Sequence, residues 1–101
     1  MKKPKGDYSI QAVVNAIRLL ETFRDEDEQG VTHLAERLGL HKNNVFRLLA
    51  TLEQAGYIEQ CAESDRYRLG LRSLDLGQSF TRGRNLLRRA RAVLEQVVAA
   101  S

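Results

Sequence analysis

One short segment combines side chains that can read hydrogen-bond patterns with a regular apolar stripe. The segment is GLHKNNVFRLLATLEQAG, residues 39–56, and its first turns carry Lys42, Asn43, Asn44, Phe46 and Arg47. Asn can bond both polar atoms on the major-groove edge of adenine, Arg can bond both acceptors of guanine, and an apolar ring can contact the methyl group of thymine. These residue types are therefore suited to reading base edges in double-stranded DNA.

The spacing places these side chains on one side of a helix. The apolar positions follow i, i+3, i+4, i+7 and i+10, and Gly56 provides an end to the helix; they are Val45, Leu48, Leu49, Leu52 and Ala55. At about 100° per residue, Asn43, Arg47, Ala50 and Gln54 lie opposite this stripe. A recognition helix contacts bases through its N-terminal residues, so polar readers belong in the first turns. The alternative is an ordinary solvated face.

The preceding residues predict two further helices. Ser9 is suited to cap a first helix from Ile10 to about Phe23, and the acidic run RDEDEQG, residues 24–30, predicts a loop. Thr32 is then the expected cap of a short helix that ends at Gly39. A short helix, a tight turn and a longer helix form a helix-turn-helix.

After Gly56 the side-chain pattern changes from a helical period to alternation every second residue. The segments at residues 57–62 and 66–70 predict strands of a hairpin joined by ESD, with Tyr67 and Leu69 on one face and Arg66 and Arg68 on the other. Both arginines are candidates for phosphate or minor-groove contact. The predicted fold is mostly α with a small β-hairpin, a winged helix-turn-helix followed by a linker helix from Leu71 and a C-terminal helix.

The first helix has an apolar arc wider than one core needs. The main stripe consists of Leu20 and the four residues Ile10, Val13, Val14 and Ile17, and further apolar residues widen it past half of the helix. We expect part of this arc to pack on the domain and these four residues to contact a second copy of the chain. A deeply buried helix is the alternative.

Composition limits the classes of function. The chain of 101 residues is long enough for one modest core, and 16 Lys and Arg against 13 Asp and Glu give a net charge of +3, which favours a polyanionic partner. A single cysteine, Cys61, excludes an internal disulfide and indicates a reducing compartment. No segment predicts a signal peptide or a membrane span, so we expect a cytoplasmic protein that does not bind membranes.

Catalysis and metal binding have no support in the sequence. His33 and His41 are isolated, and only Cys61 is available to join them in a zinc site, which needs three or four convergent ligands. No pair of nucleophile and base and no glycine-rich phosphate loop stands out. The sequence therefore predicts no enzyme activity and no cofactor.

Three segments carry a resemblance to a known family. SIQAVVNAIRLLETF, VTHLAERLGLHKNNVFRLLATLEQAGYIEQ and YRLGLRSLDLG together resemble the N-terminal winged-helix domain of IclR-type bacterial transcription regulators, from about Ser9 to Gly77. The resemblance implies dimers on palindromic operators and a larger C-terminal domain that senses a small-molecule effector. It also implies that Lys42, Asn43, Asn44, Phe46 and Arg47 lie at the DNA and that the helix from Leu71 is a linker.

Two departures from the family pattern affect base preference. His41 stands where the family usually has Pro, and Asn43 and Asn44 replace a pair of small hydroxyl residues. The expected domains are a basic tail at 1–8, the winged helix-turn-helix at 9–70, and the linker helix with the start of an effector domain at 71–101. We expect the sequence to be a piece of a longer protein, because the apolar face of its last helix needs a cover.

The leading hypothesis is sequence-specific DNA binding as the operator-binding domain of a ligand-responsive bacterial regulator. The alternative is a winged-helix protein-interaction module, in which the face around Phe46 binds another protein and the affinity for DNA is incidental.

Overall fold

The computed structural model describes residues 8–81 and 91–97. Its elements are α1 (Gln11–Thr22), α2 (Val31–Leu38), α3 (Lys42–Ala55), β1 (Ile58–Gln60), β2 (Tyr67–Leu69) and α4 (Leu71–Thr81). Residues 91–97 are also helical. This order confirms the predicted winged helix-turn-helix. The predictions that concern residues 1–7, 82–90 and 98–101 lie outside the described residues.

The core lies where α1, α2, α3 and the hairpin meet. Its buried hydrophobic residues are Leu19, Phe23, Leu34, Ala35, Leu38, Val45, Leu49, Ile58 and Tyr67. The predicted stripe of α3 is correct for Val45 and Leu49, and Leu48 and Leu52 pack against the core from its edge. Ala55 is exposed instead. It lies roughly 100° around the helix from the line through Val45 and Leu49, so it misses the core.

Two helix starts differ from the predicted ones. The N-cap of α1 is Ile10, not Ser9, and the side chain of Ile10 makes no capping hydrogen bond. The carbonyl of Ile10 accepts from the N–H groups of Val13 and Val14 at 3.0 and 3.1 Å. The N-cap of α2 is Gly30, so Thr32 lies inside the helix. The preceding residue Gln29 is held in a β-bridge, and Gly30 extends the chain from it with φ −88° and ψ 169°. The helix therefore begins before Thr32.

The tight turn between α2 and α3 forms at Gly39, as predicted. Gly39 has a φ of 67°, which side-chain-bearing residues rarely adopt, and its N–H points back to the carbonyls of Ala35 and Glu36. The guanidinium of Arg18 on α1 donates to the carbonyl of Leu38 at 3.0 Å. The end of α2 is thus held by the turn at Gly39 and by a hydrogen bond from α1.

The wing is a short antiparallel hairpin. Its register pairs Ile58 with Leu69, Glu59 with Arg68, and Gln60 with Tyr67, so the strands are shorter than the predicted segments 57–62 and 66–70. Tyr67 is buried, whereas Leu69, which was expected on the same face, is 43% exposed. Only the first of the two side chains reaches the core.

Helix α4 starts directly after the wing and runs through Gly77. Its first turn is tied to the end of α3, since the N–H of Arg72 donates to the carbonyl of Gly56 at 3.2 Å and the hydroxyl of Ser73 donates to the carbonyl of Tyr57 at 2.9 Å. Within residues 8–81 and 91–97, no helix combines the length and apolar character that a bilayer span requires.

Candidate nucleic-acid interface

The core fixes the rotation of α3. Val45 and Leu49 are completely buried, and the side chains of Asn43 and Arg47, which project from the opposite side, are exposed. Phe46 flanks them and is 56% exposed, a large fraction for an aromatic ring. The structure thus brings the predicted readers together on one outward face, and these side chains occupy the first two turns of the helix.

The polar groups on this face have no competing partner among the described residues. The side chains of Lys42, Asn43, Asn44 and Arg47 make no hydrogen bond to any residue that the structure describes. By contrast, Arg18, Arg37 and Arg68 donate to protein oxygens. A side chain with free donors can bond a base edge without first breaking an internal contact, so this face is prepared for hydrogen bonding to a ligand.

Charge along α3 favours a polyanion at its N-terminal end. No acidic residue lies in the first turn, and the first carboxylate of the helix is Glu53 near its other end. The N-cap His41 provides no side-chain hydrogen bond, and the open N–H groups carry the positive end of the helix dipole. His41 has a φ of −68°, which is the value that a proline ring imposes, so the backbone at this position is also compatible with proline.

The two predicted wing arginines differ in their surroundings. The side chain of Arg66 has no hydrogen-bond partner among the described residues and lies beside an open groove of about 580 Å³ at the start of α2. The Nε of Arg68 donates to Oε1 of Glu59 on the paired strand at 2.6 Å. This hydrogen bond is the main cause that raises the pKa of Arg68, followed by the negative charge of Glu59.

A buried polar contact, absent from the sequence predictions, positions the wing. Gln29 and Tyr67 exchange two backbone hydrogen bonds of 2.9 and 2.8 Å, so the loop before α2 lies against β2. The side chain of Gln29 is 1% exposed and donates to the hydroxyl of Thr22 at 2.9 Å, which donates to the carbonyl of Leu19 at 2.6 Å. Nothing in the polar loop sequence distinguishes Gln29 from its neighbours, so only the fold reveals this role.

Arg37 partly neutralises the acidic loop. Its guanidinium donates to the carbonyl of Thr22 and to Oε1 of Gln29, and it lies 3.5 and 3.6 Å from carboxylate oxygens of Asp25 and Glu26. The hydroxyl of Ser64 at the wing tip donates to Glu28 at 3.2 Å. The acidic residues of the loop therefore hold α2 and the wing in place.

The outward side of α1 carries the four residues predicted for a dimer contact. At about 100° per residue, Ile10, Val13, Val14 and Ile17 lie broadly opposite Leu19, which anchors α1 in the core. Ile10 is 64% and Ile17 is 51% exposed. Within a single copy the alternative of a deeply buried helix is therefore wrong, and α1 has two opposed apolar sides.

The helix-turn-helix matches a known protein family. Residues 12–61 match the family model described as the IclR helix-turn-helix domain. Through these residues, the chain belongs to the IclR family. The predicted resemblance is thus confirmed, and the matched IclR domain covers α1, the helix-turn-helix and the first strand of the wing.

Named relatives agree with this assignment. The chain is 33% identical to the HTH-type transcriptional regulator KdgR of Escherichia coli K12, over 85% of this chain and 33% of the relative. It is 29% identical to the transcriptional repressor IclR of the same organism, over 91% of this chain and 34% of the relative. The chain thus spans about a third of the length of these curated relatives.

A solved structure agrees with the family assignment. A crystal structure of an IclR transcriptional regulator from Alicyclobacillus acidocaldarius has a TM-score of 0.73 and 32% identity, and the match covers 91% of this chain and 38% of that chain. The IclR domain of this chain therefore has the winged-helix arrangement of a solved regulator. Among the described residues, no cluster of three or more His, Cys, Asp or Glu is arranged to hold a metal ion.

Proposed function

We propose that this chain binds operator DNA in a sequence-specific manner, as the DNA-binding part of a bacterial transcription regulator. The observation that carries the proposal is the N-terminal face of α3, on a helix whose rotation the core fixes. Its exposed reader side chains have no hydrogen-bond partner within the part of the chain that the structure describes. Asn43 and Arg47 read bases in the major groove, and Phe46 contacts a thymine methyl group. Lys42 and Asn44 lie beside them and bond phosphate or neighbouring base edges.

The wing adds a contact outside the major groove. Arg66 is exposed and unpaired among the described residues, so it can neutralise a phosphate or enter the minor groove. Arg68 has the same charge but already bonds Glu59. Most of the base selection therefore comes from α3, and the wing fixes the position of the domain on the duplex.

The functional unit in this proposal is a homodimer on a palindromic site. The outward side of α1 exposes Ile10, Val13, Val14 and Ile17, and covering this side with the same side of a second copy removes apolar surface from water. In the full-length protein, a C-terminal domain senses the small-molecule effector. We place the protein in the cytoplasm, acting as a regulator and not as an enzyme.

A titration with duplex DNA at several salt concentrations tests the proposal. We expect affinity to fall steeply as salt rises, because neutralised phosphates release counterions, and we expect one sequence to compete far better than random duplexes. A protein-interaction module that uses Phe46 would bind all duplexes alike and weakly. Equal competition by all sequences at every salt concentration would favour that module.

Substitution on the outward side of α1 tests the dimer. Val13→Glu adds a charge to this side, and we expect a folded monomer, because Val13 is 52% exposed in the single copy and contributes little to its core. Gln11→Glu adds the same charge on the flank of the helix and should leave the dimer intact. Sedimentation measures the oligomeric state, and circular dichroism measures whether the variants are folded. A dimer that survives Val13→Glu unchanged would rule out this surface.

A further inference from the structure

The two arginines of the wing, Arg66 and Arg68, differ in whether their guanidinium groups are available to bond DNA. Arg68 and Glu59 face each other across the hairpin in register, and their side chains join through one short charge-assisted hydrogen bond of 2.6 Å. Both side chains are about half exposed, at 52% and 41%. The pair therefore lies on the solvent side of the wing, where DNA would approach.

A paired guanidinium offers little to a phosphate. Favourable binding to DNA comes from net positive charge that displaces counterions, and the Arg68–Glu59 pair has a net charge of zero. If Arg68 turned to a phosphate, the carboxylate of Glu59 would be left beside a polyanion without its partner. Arg66, two residues earlier, has no such carboxylate bonded to it within the described residues.

We propose that Glu59 holds Arg68 away from DNA, so that the wing binds the duplex through Arg66 alone. Glu59 is then a positioning residue that lowers sequence-independent affinity and leaves discrimination to the face of α3. This inference rests on the proposed DNA binding and names the residue that limits the contribution of the wing.

Because the Arg68–Glu59 pair is exposed, it contributes little to folding stability, and single substitutions can test its role without unfolding the domain. Glu59→Gln removes the charge of the partner and keeps the size of the side chain. Glu63→Gln is the matched control: it removes one negative charge near the wing tip, where Glu63 is exposed and makes no hydrogen bond to a described residue. Any general effect of net charge on DNA affinity acts in both variants.

The experiment measures affinity for a random-sequence duplex between 50 and 200 mM salt. Arg66→Ala should lower the magnitude of the slope of log affinity against log salt by about 0.9, the value for one phosphate contact, whereas Arg68→Ala should change it little. Glu59→Gln should steepen the slope by about the same 0.9, which corresponds to an additional loss of affinity of about 3.5-fold over this salt range. Glu63→Gln should leave the slope near that of the parent chain.

The double variant Glu59→Gln, Arg68→Ala completes the design. Its slope should return to that of the parent chain, because the positive charge that Glu59→Gln makes available for phosphate is the charge of Arg68. Three results would each overturn the role of Glu59: equal slopes for Glu59→Gln and Glu63→Gln, a steeper slope that persists in the double variant, or a fall in the slope of Arg68→Ala as large as that of Arg66→Ala. Absence of any duplex binding by the parent chain would instead overturn the proposed function itself.

Discussion

Replacing Arg47 with Ala is expected to weaken binding to the preferred operator by about 1–3 kcal/mol and to relax the preference at one base position. Arg47 projects from the exposed side of α3 with no hydrogen-bond partner among the described residues, so the substitution leaves the fold intact. The loss reflects two hydrogen bonds to one guanine that Ala cannot make. Selection of duplexes by the variant, compared with the parent chain, measures the relaxed position.

Gln54→Ala is the control for Arg47→Ala. Gln54 lies on the same outward side of α3 and is exposed, but it belongs to the last turn, which stays outside the groove when the helix enters by its N-terminus. We expect it to change binding by less than about 0.5 kcal/mol. If Arg47→Ala selected the same bases with the same strength as the parent chain, the assignment of Arg47 to base readout would be wrong.

Gly70→Ala is expected to lower the free energy of unfolding by about 1–3 kcal/mol or more. An added Cβ would overlap the carbonyl oxygen of Gly56 and lie 3.2 Å from the backbone nitrogen of Ile58. These are backbone atoms at the junction of α3, the wing and α4, where the N–H of Gly70 also donates to Tyr57 at 2.8 Å. The junction must open to admit the methyl group.

Gly77→Ala makes the same chemical change with the opposite expected sign. Outside its own helix backbone and chain neighbours, no atom of the described residues lies within 4 Å of its added Cβ. Gly77 is inside α4, where Ala is more favourable than Gly by up to about 1 kcal/mol. Chemical denaturation of both variants measures the difference. If Gly70→Ala were as stable as the parent chain, the close backbone packing at this junction would be refuted.

The sequence predicts the winged helix because its strong signals are local. The stripe of α3 and the left-handed glycines at 39 and 56, with φ of 67° and 89°, act over a few residues. The structure confirms both glycines and the stripe from Val45 to Leu52. The exposed readers follow from the same stripe, since burying Val45 and Leu49 leaves only one outward side. Their contact with DNA stays a prediction.

Features that depend on long-range pairing were not accessible from the sequence. In the sequence Gln29 is one more polar loop residue. The fold pairs it with Tyr67, and α2 then begins after Gly30 instead of at Thr32. The difference between Arg66 and Arg68 depends on the hairpin register, which pairs Glu59 with Arg68. A shift by one residue would have placed Glu59 opposite Tyr67 or Leu69 and not opposite an arginine.

The most direct test of the account is selection of binding sites by this chain from a pool of randomised duplexes. The account predicts enrichment of an inverted repeat, with half-site centres about one helical turn apart, roughly 34 Å, or a multiple of it. Such a repeat would show both base readout and the symmetry of a dimer. A selected pool with no shared sequence, which binds no better than the starting pool, would contradict the claim that α3 reads operator DNA.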